Sequence, residues 1–355
     1  MNNVPKRPRI KTTMTKTTGP TAGILAVCIV AIIALSGCAP ESQQVIKEPL
    51  EEIDLAINIF PNSALIFIAD RQGYFTDENL KVNFLGFPTG KLALDAMLGG
   101  GADIATTADI PITLAALAGQ KIAVIATIEY SSDNIRVIAR KDAGIAEPKD
   151  LKGKKIATTR GGGPLFFTHE FLARYNMKSS DVSLTFLEPS DMVQALARKD
   201  VDAFIVFEPS PSVAEKNLGT DALTIFAPTD LYGETWDIVV MQDYLNKDAD
   251  AAQRFVRALK KAEGFMQAHP DESLMLVSEY TQTEPDILAS IMQKQTYKIV
   301  NYPGLLKLLE REAAWAIRED LAAADTIPDF RELVYPAFVD SLQTAQEAYP
   351  LVQVE

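Results

Sequence analysis

Between residues 53 and 128 the chain alternates short strand-like runs with helix-like runs, and this alternation restricts the fold more than any other property of the sequence. Residues 53–57 form a short alternating run, and residues 63–73 have helical apolar spacing that ends at Gly73, a residue suited to a helix C-cap. Residues 80–85 read as a strand and residues 91–98 as a helix stopped by Gly99-Gly100-Gly101. A brief strand at 103–106, a helix at 110–118 closed by Gly119, and a strongly β-branched strand at 122–128 follow. A βαβαβαβ order predicts a mostly parallel sheet with helices on both faces.

The pattern then restarts. Strands are predicted at 136–140, 155–158, 183–187, 203–207 and 223–226, with helices at 166–175, 192–199 and 213–218 among them. A last strand at 238–241 precedes a tail predicted to be wholly helical, at 249–269, 273–280, 284–295, 305–321 and 338–348. No internal repeat of solenoid length interrupts this order. Two α/β units followed by packing helices predict an α/β protein of two lobes around a cleft. The expected division is 51–130 for the first part of lobe 1, 131–235 for lobe 2, and 236–355 for the return to lobe 1 and the C-terminal helices.

The N-terminus has a different character. Five basic residues, Lys6, Arg7, Arg9, Lys11 and Lys16, stand ahead of any acidic one. An apolar run at 22–35 follows, and then Leu35-Ser36-Gly37-Cys38. A basic region, a short apolar core and small residues at the cut are the parts of a secretory signal. The apolar core is shorter than the ~20 residues that a membrane-spanning helix needs. Leu-Ser-Gly-Cys resembles the bacterial lipobox, which implies cleavage after Gly37 and a diacylglyceryl group on the Cys38 thiol. Cys28 lies in the discarded segment, so the mature chain would hold one cysteine and no internal disulfide. Residues 1–37 are therefore expected to be a signal, and residues 38–50, polar and carrying Pro40 and Pro49, a tether. The location implied is extracytoplasmic and lipid-anchored, in the periplasm or at the outer cell surface.

Charge narrows the partners. The whole chain has 34 basic and 47 acidic residues and a net charge of −13, and the five basic residues of the signal make the mature part more acidic still. Such a balance argues against nucleic acid, which requires clustered Lys and Arg. An anionic ligand would have to be held by local groups rather than by the global field.

Four helix starts could supply those groups: Asn62-Ser63, Thr89-Gly90, Thr106-Thr107-Ala108-Asp109 and Gly161-Gly162-Gly163-Pro164. Each follows a strand, and in open α/β sheets ligands bind beyond the carboxyl ends of strands. Helix N-termini there carry unpaired N–H groups and partial positive charge, so they can hold an anion without lysine. Capping is the plain alternative for each, since these are ordinary cap residues. The glycine run either forms a tight turn or lets the backbone approach a ligand, with Pro164 in the first turn of the next helix. Arg160 is either a clamp for a sulfonate or carboxylate, or an ordinary exposed arginine. Glu208 closes a buried strand, and it, Asp109 or Asp237 could face the cleft and pair with an amine. Phe60, Phe87, Tyr130, Phe166, Phe167 and Trp236 are either walls of the pocket or core. His169 and His269 have no Cys or His neighbour at ligand spacing, and neither a hydrolase elbow nor a dinucleotide fingerprint occurs. No catalytic residue, metal or cofactor is expected.

Several stretches together resemble the substrate-binding lipoproteins of ABC importers, in the nitrate, sulfonate, taurine and bicarbonate branch (NMT1/THI5-like). Gly73-Tyr74-Phe75-Thr76-Asp77-Glu78-Asn79-Leu80-Lys81-Val82 is similar to the signature GYFxxEGLxV, with Asn79 where glycine is usual. Gly100-Gly101-Ala102-Asp103-Ile104-Ala105 resembles GxADIx, and residues 145–157 (IAEPKDLKGKKIA) resemble the passage that opens the second lobe. Val201-Asp202-Ala203 with Phe207-Glu208-Pro209 looks like VDA followed by WEP, with Phe for Trp. The resemblance implies a type II periplasmic-binding-protein fold whose lobes close on a ligand by a hinge, and delivery of that ligand to a permease with its ATPase. It also implies a monomer that binds a small organic anion or zwitterion, sulfonates and taurine first. By position the pocket would be lined by Asn62, Ser63, Thr89, Gly90, Thr107, Asp109, Gly162 and Glu208, with Arg160 and Gly161 beside them. The glycine loop departs from the small polar loop of sulfonate binders. Pyrimidine precursors of thiamine, aromatic acids, or an enzyme such as a lyase on the same fold are the alternatives.

Overall fold

The computed structural model describes residues 49–342. The signal, Cys38 and most of the tether lie outside them, as do the last residues of the expected 338–348 helix. Strand β1 (Glu51–Asn58) leads through a 3₁₀ turn to α1 (Ala64–Arg71) and α2 (Tyr74–Asp77), then to β2 (Leu80–Phe87), α3 (Gly90–Leu98), β3 (Ile104–Ala108), α4 (Asp109–Leu117) and β4 (Ile122–Ser131). The next stretch contains β5 (Ile135–Arg140), β6 (Lys155–Thr158), α5 (Gly163–Arg174), β7 (Ser183–Phe186), α6 (Pro189–Ala197), β8 (Ala203–Phe207), α7 (Ser210–Leu218) and β9 (Leu223–Phe226). The chain ends with β10 (Glu234–Met241), α8 (Gln242–Ala268), α9 (Pro270–Thr281), α10 (Pro285–Met292), β11 (Thr296–Val300), α11 (Leu305–Arg318) and α12 (Ala337–Asp340).

These strands form two sheets, one of six strands in the order β11-β4-β10-β3-β1-β2 and one of five in the order β7-β6-β8-β5-β9. The chain crosses to the second sheet between Ser131 and Ile135 and returns between Phe226 and Glu234. Both sheets are mixed, which corrects the expectation of mostly parallel pairing. β1 is parallel to β2 and β3, but β10 runs antiparallel to β3 and β4, and β5 antiparallel to β8 and β9. Each inserted strand returns from the other sheet and so enters its position from the opposite end. The tail is not wholly helical either, because β11 pairs antiparallel with β4. Its sequence, Thr-Tyr-Lys-Ile-Val, is strand-favouring apart from Lys298, in a run too short to stand out between helices.

Three apolar clusters hold the layers. One outer face of the six-stranded sheet packs on α1, α8 and α9 through Ile57, Phe67, Phe255 and Leu259. A second cluster joins the other face of that sheet to α5 and α11 and to Val137 and Ile156 of the five-stranded sheet, with Trp315 and Phe166 in edge contact at 5.1 Å. The third lies under α6 and α7. Helix α8 is kinked at Asp248, whose carboxylate accepts from the Ala251 N–H at 2.9 Å and restarts the helix as an N-cap does.

Candidate functional site

The pocket between the sheets encloses about 520 Å³ including its mouth, and its walls come from both lobes. Asn58 and Asn62 lie where β1 ends, Thr89, Gly90 and Lys91 where α3 starts, and Thr159, Arg160, Gly162 and Gly163 where α5 starts. Phe207 closes β8, and Glu234 and Trp236 open β10. Phe60 and Phe207, one from each lobe, meet with ring centroids 5.8 Å apart.

The local sequence explains this arrangement. Thr89 caps α3, accepting the Leu92 N–H at 3.3 Å, so the Gly90 and Lys91 N–H groups have no acceptor within the helix. Gly90 is required by close approach. A Cβ there would lie 2.5 Å from the Trp236 ring and 2.9 Å from the Thr107 Cα, and the latter is backbone that cannot swing away. Gly162 is the N-cap of α5, with Pro164 in its first turn. Trp236 is 5 % exposed, and its indole Nε1 has no partner among the described residues. The Asn62 Oδ1 accepts from Asn58 Nδ2, and Asn58 Oδ1 from the Ser63 hydroxyl. The cations at the pocket are both occupied, Arg160 over the Phe186 ring and Lys91 paired with Asp95 at 2.6 Å.

Behind the pocket, and reaching its wall at Glu234, sits a cluster of buried carboxyl groups: Asp109 at the start of α4, Glu129 on β4, Glu234 and Asp237 on β10, and Glu312 on α11. Hydroxyls bind several of them. Thr127 donates to Asp237 at 2.5 Å, Thr235 to Asp237 at 2.7 Å, Thr113 to Glu312 at 2.7 Å, and Tyr232 to Asp109. Burial without a counter-charge raises their pKa values. Desolvation takes Asp109 to about 6, against the pull of hydrogen bonds from Tyr232, Thr235 and Ile110. It takes Asp237 to about 7, and it takes Glu234 to about 8 with help from the Asp109 charge. Glu129 and Glu312 are pushed well above the ordinary carboxyl range by the same cause.

A family model described as NMT1/THI5 like matches residues 60–273. The chain belongs to the NMT1/THI5-like family. A putative aliphatic sulfonates-binding protein of Bacillus subtilis is 25 % identical over 277 residues, 76 % of this chain and 81 % of that one. The taurine-binding periplasmic protein of Escherichia coli is 23 % identical over 243 residues, 68 % of this chain and 72 % of its own. Among solved structures, the periplasmic aliphatic sulphonate binding protein SsuA of Escherichia coli superposes with a TM-score of 0.69 at 21 % identity, over 80 % of this chain and 97 % of that one. The periplasmic nitrate-binding protein NrtA of Synechocystis gives 0.67 at 15 % identity, over 82 % and 88 %. These are binding proteins rather than enzymes, and the fold they share with this chain is the two-lobed periplasmic-binding-protein fold.

In this NMT1/THI5-like chain, Asn62, Thr89, Gly90, Arg160 and Gly162 come together on the pocket wall. Five other candidates lie elsewhere. Ser63 is fully buried and turned to Asn58, and Thr107 is buried inside β3. Asp109 points into the carboxyl cluster, where Tyr232, Thr235 and its own helix bind it. Gly161 adopts φ +69°, the left-handed turn conformation, beside Leu114 and Lys91. Glu208 is withdrawn by an arginine, Arg136 of β5, and by the Ser212 hydroxyl at 3.0 Å. Of the aromatic candidates Trp236 lines the pocket. Phe166 and Phe167 are core, and Tyr130 stacks on Tyr302 with centroids 5.1 Å apart.

Glu234, Asn58 and Phe207 were missed as wall residues. Alternation could have found Glu234, because residues two apart on a strand share a face and Glu234 stands two before Trp236. Placing the start of the strand at 238 hid that parity.

Proposed function

We propose that the chain is an extracytoplasmic solute-binding lipoprotein of an ABC importer, which captures a small organic anion or zwitterion of the sulfonate and taurine kind by lobe closure and hands it to a permease. The observation that carries this reading is the convergence of two helix N-termini, α3 and α5, from opposite lobes on one pocket. Unpaired N–H groups and helix dipoles there suit an acid group, and closure removes it from water. The lobe boundaries at 51–130, 131–235 and 236–355 belong to this reading, and so does a lipid on Cys38 holding the receptor at the membrane. The family membership and the sulfonate- and taurine-binding relatives support it.

Trp236 and Phe207 on the wall favour a second ligand class, pyrimidines or aromatic acids, that would stack on an aromatic face. Calorimetric titration with alkanesulfonates, taurine, nitrate, a pyrimidine and benzoate separates the two. Saturable binding of a sulfonate or of taurine, lost on Gly90→Asp, is the expected result. Binding confined to the pyrimidine or the benzoate would shift the assignment, and no binding by any of them would sink it.

A further inference from the structure

The pocket wall includes a carboxyl group whose chemistry is opposite to that of the helix ends facing it. Glu234 is 4 % exposed and lines the pocket. One oxygen, Oε2, is fixed by the Asn134 amide, and Oε1 has no partner among the described residues. That free oxygen lies 2.9 Å from where a Cβ on Gly163 would stand, beside the first turn of α5. We propose that Glu234 is the specificity-determining group of the pocket and takes the ammonium of a zwitterionic ligand, whose acid group is held by the N-termini of α3 and α5. This rests on the reading of the chain as a receptor for a small organic acid.

The surroundings of Glu234 define what it can accept. Asp109 of α4 and Glu129 of β4 are the acids that interact with it electrostatically, and Tyr232 lies in the loop before β10. Asp237 sits further along its own strand, the α5 side offers the Gly163 backbone, and the β5 side offers Asn134. No lysine or arginine among the described residues pairs with Glu234, while Arg160 and Lys91 at the same pocket are held by Phe186 and Asp95. A simple anion placed here gains the helix ends but no ionic contact with Glu234, which stays a neutral acid. An ammonium at Oε1 pairs with the carboxylate, and a charge-assisted hydrogen bond in a desolvated site is strong. Glu208, the residue after β8, is unavailable for this role because Arg136 pairs with it.

Burial adds a proton balance. Burial raises Glu234 to about 8, so in the empty pocket near pH 7 it is mostly a neutral acid. Binding an ammonium converts it to carboxylate, and its proton leaves for the buffer while the ligand keeps its own. An alkyl ligand of the same length leaves the proton in place.

The test is titration calorimetry at about pH 7 in two buffers of different ionisation heat. It uses aminoalkanesulfonates and ω-amino carboxylates of two to four carbons, each against the isostere in which methyl replaces ammonium. The expected result is a preference of about 10- to 100-fold for the amino member, with close to one proton released by it and none by the isostere. Glu234→Gln should cut the preference to within about threefold and abolish the release, with the melting curve checking that it folds. The wild-type comparison stands without the variant if that protein does not fold. An isostere that binds as tightly as its amino partner overturns the role of Glu234 and leaves the receptor reading intact. If no member of either series binds, and neither do the ligands of the wider panel, the receptor reading fails and this role with it.

Discussion

Around the pocket the two sheets treat their acids in opposite ways, although on the far face of the six-stranded sheet the buried Glu263 of α8 pairs with Lys260 at 2.8 Å. On the five-stranded sheet, Glu208 and Glu215 share the buried guanidinium of Arg136, and Asp202 meets Arg140 at 2.9 Å. The Ser212 N–H adds a hydrogen bond to Glu208 at 3.1 Å. Beside the six-stranded sheet, Asp109, Glu129, Glu234, Asp237 and Glu312 are buried with hydroxyls and an amide but no ion-paired cation among the described residues. A paired acid stays charged and fixes structure. An unpaired one becomes neutral, keeps its proton, and is left able to respond to whatever enters beside it. The pocket lies against the second kind.

The largest effect should come from breaking the paired side. Replacing Arg136 with methionine removes the counter-charge of Glu208 and leaves a carboxylate only 4 % exposed beside a strand end. Such a change typically costs about 3–5 kcal/mol. Urea denaturation near pH 7 measures it. A loss below about 1 kcal/mol would mean that the buried pair contributes little, and the contrast between the sheets would disappear.

The unpaired side should show itself through pH. Asp237, ordinarily near 3.8, has its pKa raised to about 7 in the fold. Between those values the native chain holds a proton that the unfolded chain has lost, so stability falls as pH rises through this window and levels off above about 7. From pH 5.5 to 7 the fall from this one group is about 1.6 kcal/mol, because the slope of about 1.4 kcal/mol per unit halves as pH reaches the folded pKa. Asp237→Asn should therefore flatten the ligand-free stability profile by about that amount and gain on the wild type at pH 8.5. Denaturant titrations at pH 5.5, 7 and 8.5 read this directly. An unchanged slope would show that Asp237 is ionised in the fold.

Much of this architecture is visible in the sequence, and the failures have a common cause. The helices after β1, β2 and β6 announce themselves by cap residues and apolar spacing, which are local signals, and this is why Asn62, Thr89, Gly90 and Gly162 are legible as residues of helix starts. Strand direction is not local. Residues 238–241 read as a strand equally well in either sense, and only the return from the second sheet makes β10 antiparallel. The fate of Glu208 is equally distant, since Arg136 stands 72 residues earlier and reaches it only because β5 and β8 are neighbours, with Arg136 opposite Val206. Glu234 fails for a smaller reason. The polar residues of Glu-Thr-Trp-Asp mask the start of a strand whose Thr235 and Asp237 point into a buried hydroxyl and carboxyl cluster.

The smallest expected effect separates pairing from burial on the charged side itself. Glu215 binds the other nitrogen of Arg136, but its side chain is 27 % exposed where that of Glu208 is 2 % exposed. Water can solvate Arg136 Nη1 once the Glu215 charge is gone, and Glu208 remains beside Nη2, so no buried ion is stranded. Glu215→Gln keeps the shape and an acceptor oxygen, and should cost no more than about 1 kcal/mol, the range of partly exposed pairs. Measured beside Arg136→Met in the same denaturant, it should give several-fold less destabilisation. Equal losses would mean that the three groups act as one network.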